Sequence, residues 1–139
     1  MTTIIGTTAL IEPHAEAQSL RQYQWEHRPL LIFAPTSSNE ELKRQRKVVS
    51  RSLPEFRERD LAVIEVIGSI VQSRLGPSPS ATAKALRVHY GVPERQFRVV
   101  LVGKDGGSKL RSGRAISADR LFGIIDSMPM RRREMRRGR

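Results

Sequence analysis

The chain predicts an α/β domain in the order β-α-β-α-β-β-α, with a mixed four-stranded sheet flanked by helices. Three observations predict it. Residues 30–34 (LLIFA) are a continuous apolar run, the pattern of a strand covered on both faces, and residues 61–68 (LAVIEVIG) form a second run rich in β-branched residues. Amphipathic helical stretches separate these runs from each other and from the third apolar run near residue 100. Residues 97–111 (FRVVLVGKDGGSKLR) read as an apolar strand, a glycine turn and a basic return strand, which is a hairpin.

In chain order, residues 1–19 read as a loosely ordered lead-in. Residues 20–25 (LRQYQW) read as a short helical or anchoring segment, with Trp25 plugging the core edge. Pro29 opens the first strand. Ser38, with Glu41 three residues on, forms a capping-box signature for a helix over 40–53. On that helix Leu42, Val49 and Leu53 share one buried arc, while Lys43, Arg44, Lys47 and Arg51 form a basic outer face. Asp60 introduces the second strand.

Residues 69–80 are the least legible: IVQSRL reads as a helical turn or a strand extension, and LGPSPS as a loop. Ser78 or Ser80 caps the next helix, which stops at Gly91 with Pro93 beyond. In the hairpin, Asp105, Gly106 and Gly107 tolerate the positive φ of a tight turn, and Lys109 and Arg111 blunt an exposed edge. Ser117 caps the last helix, with Asp119 in its first turn. Its apolar stripe is Leu121, Ile124, Ile125 and Met128, and Pro129 ends it. The domain is thus placed at residues 20–130, with 131–139 an Arg-rich tail.

The element order is that of a thioredoxin-like fold, yet the chain has no cysteine. That excludes thiolate nucleophiles, disulfides and zinc-thiolate sites. The formal charge is +11, shared between the body and residues 131–139, which hold six arginines against Glu134. Such charge favours anionic partners without choosing among them. No apolar run reaches the roughly 18 residues a membrane span needs. No basic, apolar-centred leader is visible at the start, so the chain as given reads as cytoplasmic, or exported if the true start lies upstream.

Catalytic and cofactor signals are weak. His14, His27 and His89 share no ligand spacing, so no metal and no cofactor is expected. Glu55, Glu58 and Asp60 lie beside Arg, as surface ion pairs do. GKDGG links two strands instead of opening a helix, so it is no phosphate loop. No aromatic residues interleave the basic runs, which argues against sequence-specific nucleic-acid binding. The candidate binding surface combines Lys104, Lys109 and Arg111 of the hairpin with Arg131, Arg132 and Arg133 of the tail, for an unknown protein or polyanion. The alternatives are a Cys-independent, peroxide- or glutathione-linked enzyme at residues 36–39, where Ser37 and Ser38 lie, or a loose binder of polyanions and nucleic acid.

Four segments, YQWEHRPLLIFAP, RDLAVIEVIG, YGVPERQFRVVLVGKDGGSKLRS and LFGIIDSMPMRRREM, together resemble domain-of-unknown-function family 4174, the bacterial branch of the DUDES thioredoxin-like domains. The resemblance covers roughly residues 20–136. It implies a thioredoxin-like fold of uncharacterised function, and, from animal relatives in secreted matrix-associated proteins, adhesion or matrix binding. The CxxC pair that opens the first helix in thioredoxins is replaced here by Thr36, Ser37, Ser38 and Asn39. The place of their proline before the third strand falls near Arg98. The resemblance therefore implies no dithiol exchange.

Overall fold

The structure, a computed structural model, describes residues 18–138. The expected lead-in therefore lies outside the described residues except for its last two positions. The chain runs through a 3-10 turn (Gln18–Tyr23), β1 (Arg28–Ala34), α1 (Glu40–Arg51), α2 (Leu53–Glu58), β2 (Leu61–Ile67), β3 (Ile70–Leu75), α3 (Ala83–Tyr90), β4 (Arg98–Val102), β5 (Ser108–Ser112), α4 (Ala118–Asp126) and α5 (Pro129–Arg136).

These strands form one sheet in the order β3-β2-β1-β4-β5. β1 and β2 lie parallel with Leu30 opposite Val63, and β4 runs antiparallel to β1 with Leu31 opposite Val100. Both central strands are apolar at nearly every position because both faces of the sheet are covered. Leu30, Ile32, Val63 and Leu101 pack under α1, α2 and α4, through Leu42, Phe56, Leu121 and Ile125. Leu31, Phe33, Ile64 and Val100 pack on the opposite face under α3 and the 3-10 turn, through Leu86, Tyr90 and Tyr23.

The sheet has five strands where the sequence predicted four. IVQSRL becomes β3, turning back along β2 with Val66 opposite Val71. Gly68 makes this turn possible with φ +56, a conformation that strains residues carrying a Cβ. As an edge strand, β3 alternates exposed and half-buried residues, unlike the saturated central strands.

Several local expectations shift. Asn39, not Ser38, caps α1: its side-chain oxygen accepts from the Leu42 amide at 3.0 Å. The helix breaks at Ser52, and Leu53 and Pro54 begin α2. Thr82, not Ser78 or Ser80, caps α3, accepting from Ala85 at 3.1 Å. Gly91 ends that helix as expected, left-handed at φ +65. Trp25, expected at the core edge, is 59% exposed. Its backbone is left-handed at φ +69, and Tyr23 takes the inward place instead. α4 stops at Asp126, before Pro129, which instead starts α5, as proline at a first helical position does.

Candidate functional site

The six basic residues singled out in the sequence divide into those the fold consumes and those it leaves free. Lys104, just beyond β4, is buried, and its ammonium donates to Glu134 at 2.6 Å and Asp60 at 2.8 Å. Glu134, on the inner side of α5, also accepts from both terminal nitrogens of Arg28 at 3.2 Å each. Arg131 is 1% exposed and donates to Asp126 at 3.0 Å and Glu58 at 3.0 Å. Asp126 is in turn clasped by Arg59, whose guanidinium lies 4.2 Å above the Phe122 ring. Glu58 is exposed and pairs with its neighbour Arg59 as expected, besides reaching Arg131, while Asp60 belongs to a more buried network closing one end of the sheet.

The electrostatics of this end follow from its pairing. Burial alone would raise the Glu134 carboxyl, but the hydrogen bonds and charges of Lys104 and Arg28 outweigh it and hold it below the usual glutamate range. Asp126 is likewise held below the ordinary aspartate value, burial being outweighed by Arg59 and Arg131. α5 is therefore fastened through charged pairs instead of an apolar stripe, with Arg131 and Glu134 facing in.

Lys109 and Arg111, on β5, are exposed but engaged. Lys109 pairs with Asp105 at 2.9 Å, and Arg111 donates to the Tyr90 carbonyl at 2.6 Å, closing the end of α3. Only Arg132 and Arg133 of the six remain unpartnered among the described residues. One turn further, Arg136 and Arg137 are equally exposed and unpartnered. At 100° per residue these four arginines span about 140° of the helix surface. The candidate set stopped at Arg133. The signal that completes it is the single acid, Glu134, which marks the inward side of an otherwise basic helix.

The opposite end of the sheet is built differently. Arg87 of α3 is 6% exposed and donates to backbone carbonyls at the ends of β1 and β2: Ala34 at 3.2 Å, Val66 at 3.4 Å, and Gly68. Beside these strand ends lies the 36–39 loop, where the Thr36 and Ser38 hydroxyls are 3.2 Å apart. Neither the Ser37 nor the Ser38 hydroxyl is hydrogen-bonded to a histidine or carboxylate among the described residues. Among those residues there is also no group of three or more His, Asp or Glu able to hold a metal, and no helix long and apolar enough to cross a membrane.

Comparison with known proteins gives a family but no assigned activity. The family described as Domain of unknown function (DUF4174) matches residues 19–134. The chain is 30% identical over 123 residues to the sushi repeat-containing protein SRPX of Rattus norvegicus and to that of Homo sapiens, covering 86% of this chain and 26% of each relative. The Mus musculus protein is 29% identical over the same length. The chain thus spans about a quarter of the length of the curated relatives it matches. No solved structure matches it significantly.

Proposed function

We propose that this chain, which belongs to the family described as Domain of unknown function (DUF4174), is a non-catalytic thioredoxin-like domain that binds a polyanionic partner through the outer face of α5. The strand order β2-β1-β4-β5, with one parallel and two antiparallel pairings, supports the thioredoxin-like reading, with β3 added at the edge. Hydroxyl side chains on the 36–39 loop, in a chain without cysteine, support a role other than thiol chemistry. In the SRPX relatives the matched stretch is one part of a longer chain, which is in keeping with a binding module.

The observation that carries the reading is the split within one helix. The inner cation Arg131 is saturated by carboxylates, while Arg132, Arg133, Arg136 and Arg137 project with no counter-charge among the described residues. Guanidinium groups bind phosphate and sulfate oxygens through paired N–H donors, so such a face suits a polyanion better than scattered lysines would. Truncation at residue 130 is a poor test, because it strips Glu134 from Arg28 and Lys104.

The cleaner test changes all four arginines to glutamine in the full chain and compares retention on immobilised heparin. A control with glutamine at Lys47, Arg51, Arg57 and Arg95, four exposed cations elsewhere, has the same net charge. The α5 variant is expected to elute at clearly lower salt than the control. Equal elution of the two would remove α5 from the proposal.

A further inference from the structure

We propose that the cleft between the 3-10 turn, the end of α3 and the β4–β5 turn binds a small organic carboxylate with a flat apolar body. The cleft has a volume of about 330 Å3, at the low end of the range for small-molecule sites. Its floor is set by the fold: Leu20, Tyr23, Pro29 and Val102 are all buried. The Tyr23 hydroxyl is already spent on the Pro77 carbonyl at 2.5 Å, so this ring offers the cleft an apolar surface.

Three side chains of the wall carry hydrogen-bonding groups that the fold does not use. The Arg21 guanidinium, the His89 imidazole and the Tyr90 hydroxyl make no hydrogen bond among the described residues. Arg21 lies at the exposed rim, but His89 is half-buried and Tyr90 is 9% exposed. Their polar atoms stay open to the cleft, where a ligand can reach them. Burial pushes the Tyr90 hydroxyl up to about 12, so it remains a donor at neutral pH. The two rings meet edge to face with centroids 4.6 Å apart, which fixes both orientations.

The cleft's carboxylate does not compete for these donors. Asp105 accepts from the Gly107 amide through one oxygen and from Lys109 through the other, each at 2.9 Å. A ligand carboxylate therefore meets unspent donors, and the Tyr90 ring with Pro29 and Leu20 offers its body a flat apolar bed. The opening is also held in place. Gln24 donates to the Asp105 carbonyl at 3.1 Å, and the Trp25 amide to the Lys104 carbonyl at 2.7 Å. Trp25 keeps its left-handed backbone with the indole largely in solvent, a strained conformation of the kind found at ligand sites.

No residue lining the cleft belongs to α5, so the two proposals stand separately. The test titrates benzoate, and its uncharged counterpart benzamide, into the full chain. Binding is read from the emission of Trp25, the sole tryptophan, and from the amide NMR shifts of Gly103 and Gly106. Benzoate is expected to saturate, and benzamide or the Arg21→Gln variant to bind about tenfold more weakly, the loss of one charge-assisted hydrogen bond. Tyr90→Phe, which keeps the ring, is expected to weaken binding with little change in melting temperature, while the four-arginine α5 variant binds benzoate as the wild type does. A non-saturating titration would overturn the proposal. So would equal affinity for benzamide, or unchanged affinity in both Arg21→Gln and Tyr90→Phe.

Discussion

Glu65 and Glu134 are both buried carboxylates held by cations, yet the two centres differ in what surrounds those cations. Glu65, on β2, is fully buried and receives both Arg46 bonds at 2.8 Å, Gln72 at 2.9 Å and Arg74 at 3.4 Å. Its guanidinium partners are partly in solvent, with side chains 26% and 42% exposed. Glu134 is clasped by Arg28 and Lys104, whose side chains are 1% and 6% exposed. If the acid is removed, Arg46 and Arg74 can turn to water, whereas Arg28 and Lys104 cannot. The same pairing chemistry therefore has unequal consequences, decided by the partner left behind.

Removing Glu134 is expected to produce the largest effect. Glu134→Ala strands the buried Arg28 guanidinium, while Lys104 keeps Asp60, and should cost about 3–5 kcal/mol in chemical denaturation. Adding Arg28→Met should recover part of that loss, because an apolar side chain needs no counter-charge. Failure of the double variant to recover any stability would show that Arg28 is not what makes the loss large.

Glu65→Gln keeps the shape and leaves cations that water can reach, so the expected loss is smaller, about 2 kcal/mol. A loss as large as that of Glu134→Ala would erase the distinction between the centres. Acid probes both together. Burial would raise the Glu65 carboxyl, but hydrogen bonds from Arg46 and Gln72 and the charges of Arg46 and Arg74 hold it below the usual range, as with Glu134 and Asp126. Carboxylates lowered in the folded state contribute fully above their unfolded values, near 4.5 for Glu and 3.8 for Asp, and lose that contribution as pH falls through the folded ones. Denaturation midpoints should therefore be level from neutral pH to about 4.5, fall below it, and fall less steeply in Glu65→Gln.

The smallest effect is expected at a site outside both centres. Asn39→Ala should cost about 1 kcal/mol through loss of the α1 cap, while Ser38→Ala should leave the thermal melt unchanged. Equal losses would restore Ser38 to the capping role its spacing suggested.

Much of the fold was legible because burial on both faces writes itself as dense apolar sequence, unbroken in residues 30–34 and interrupted only by Glu65 in 61–66. β3 was not, because an edge strand with one half-covered face leaves a mixed pattern that Ser, Gln and Arg can also show in a helix. The candidate site was legible only as charge. Arg131 and Arg132 are adjacent and chemically identical, and only the carboxylates brought near by the fold, Glu58 from α2 and Asp126 from α4, tell them apart. Lys104 was hidden for the same reason: its partners Asp60 and Glu134 stand 44 and 30 residues away. Sequence spacing records local periodicity and misses pairings of that range.

The clasp between Arg28 and Glu134 joins residues 106 positions apart. On the ribosome the guanidinium is made long before its counter-ion, so every nascent chain short of α5 carries an uncompensated cation where the first strand should settle. Completion of the domain is thereby tied to the arrival of its last helix, and early fragments are discouraged from locking into a native-like sheet on their own.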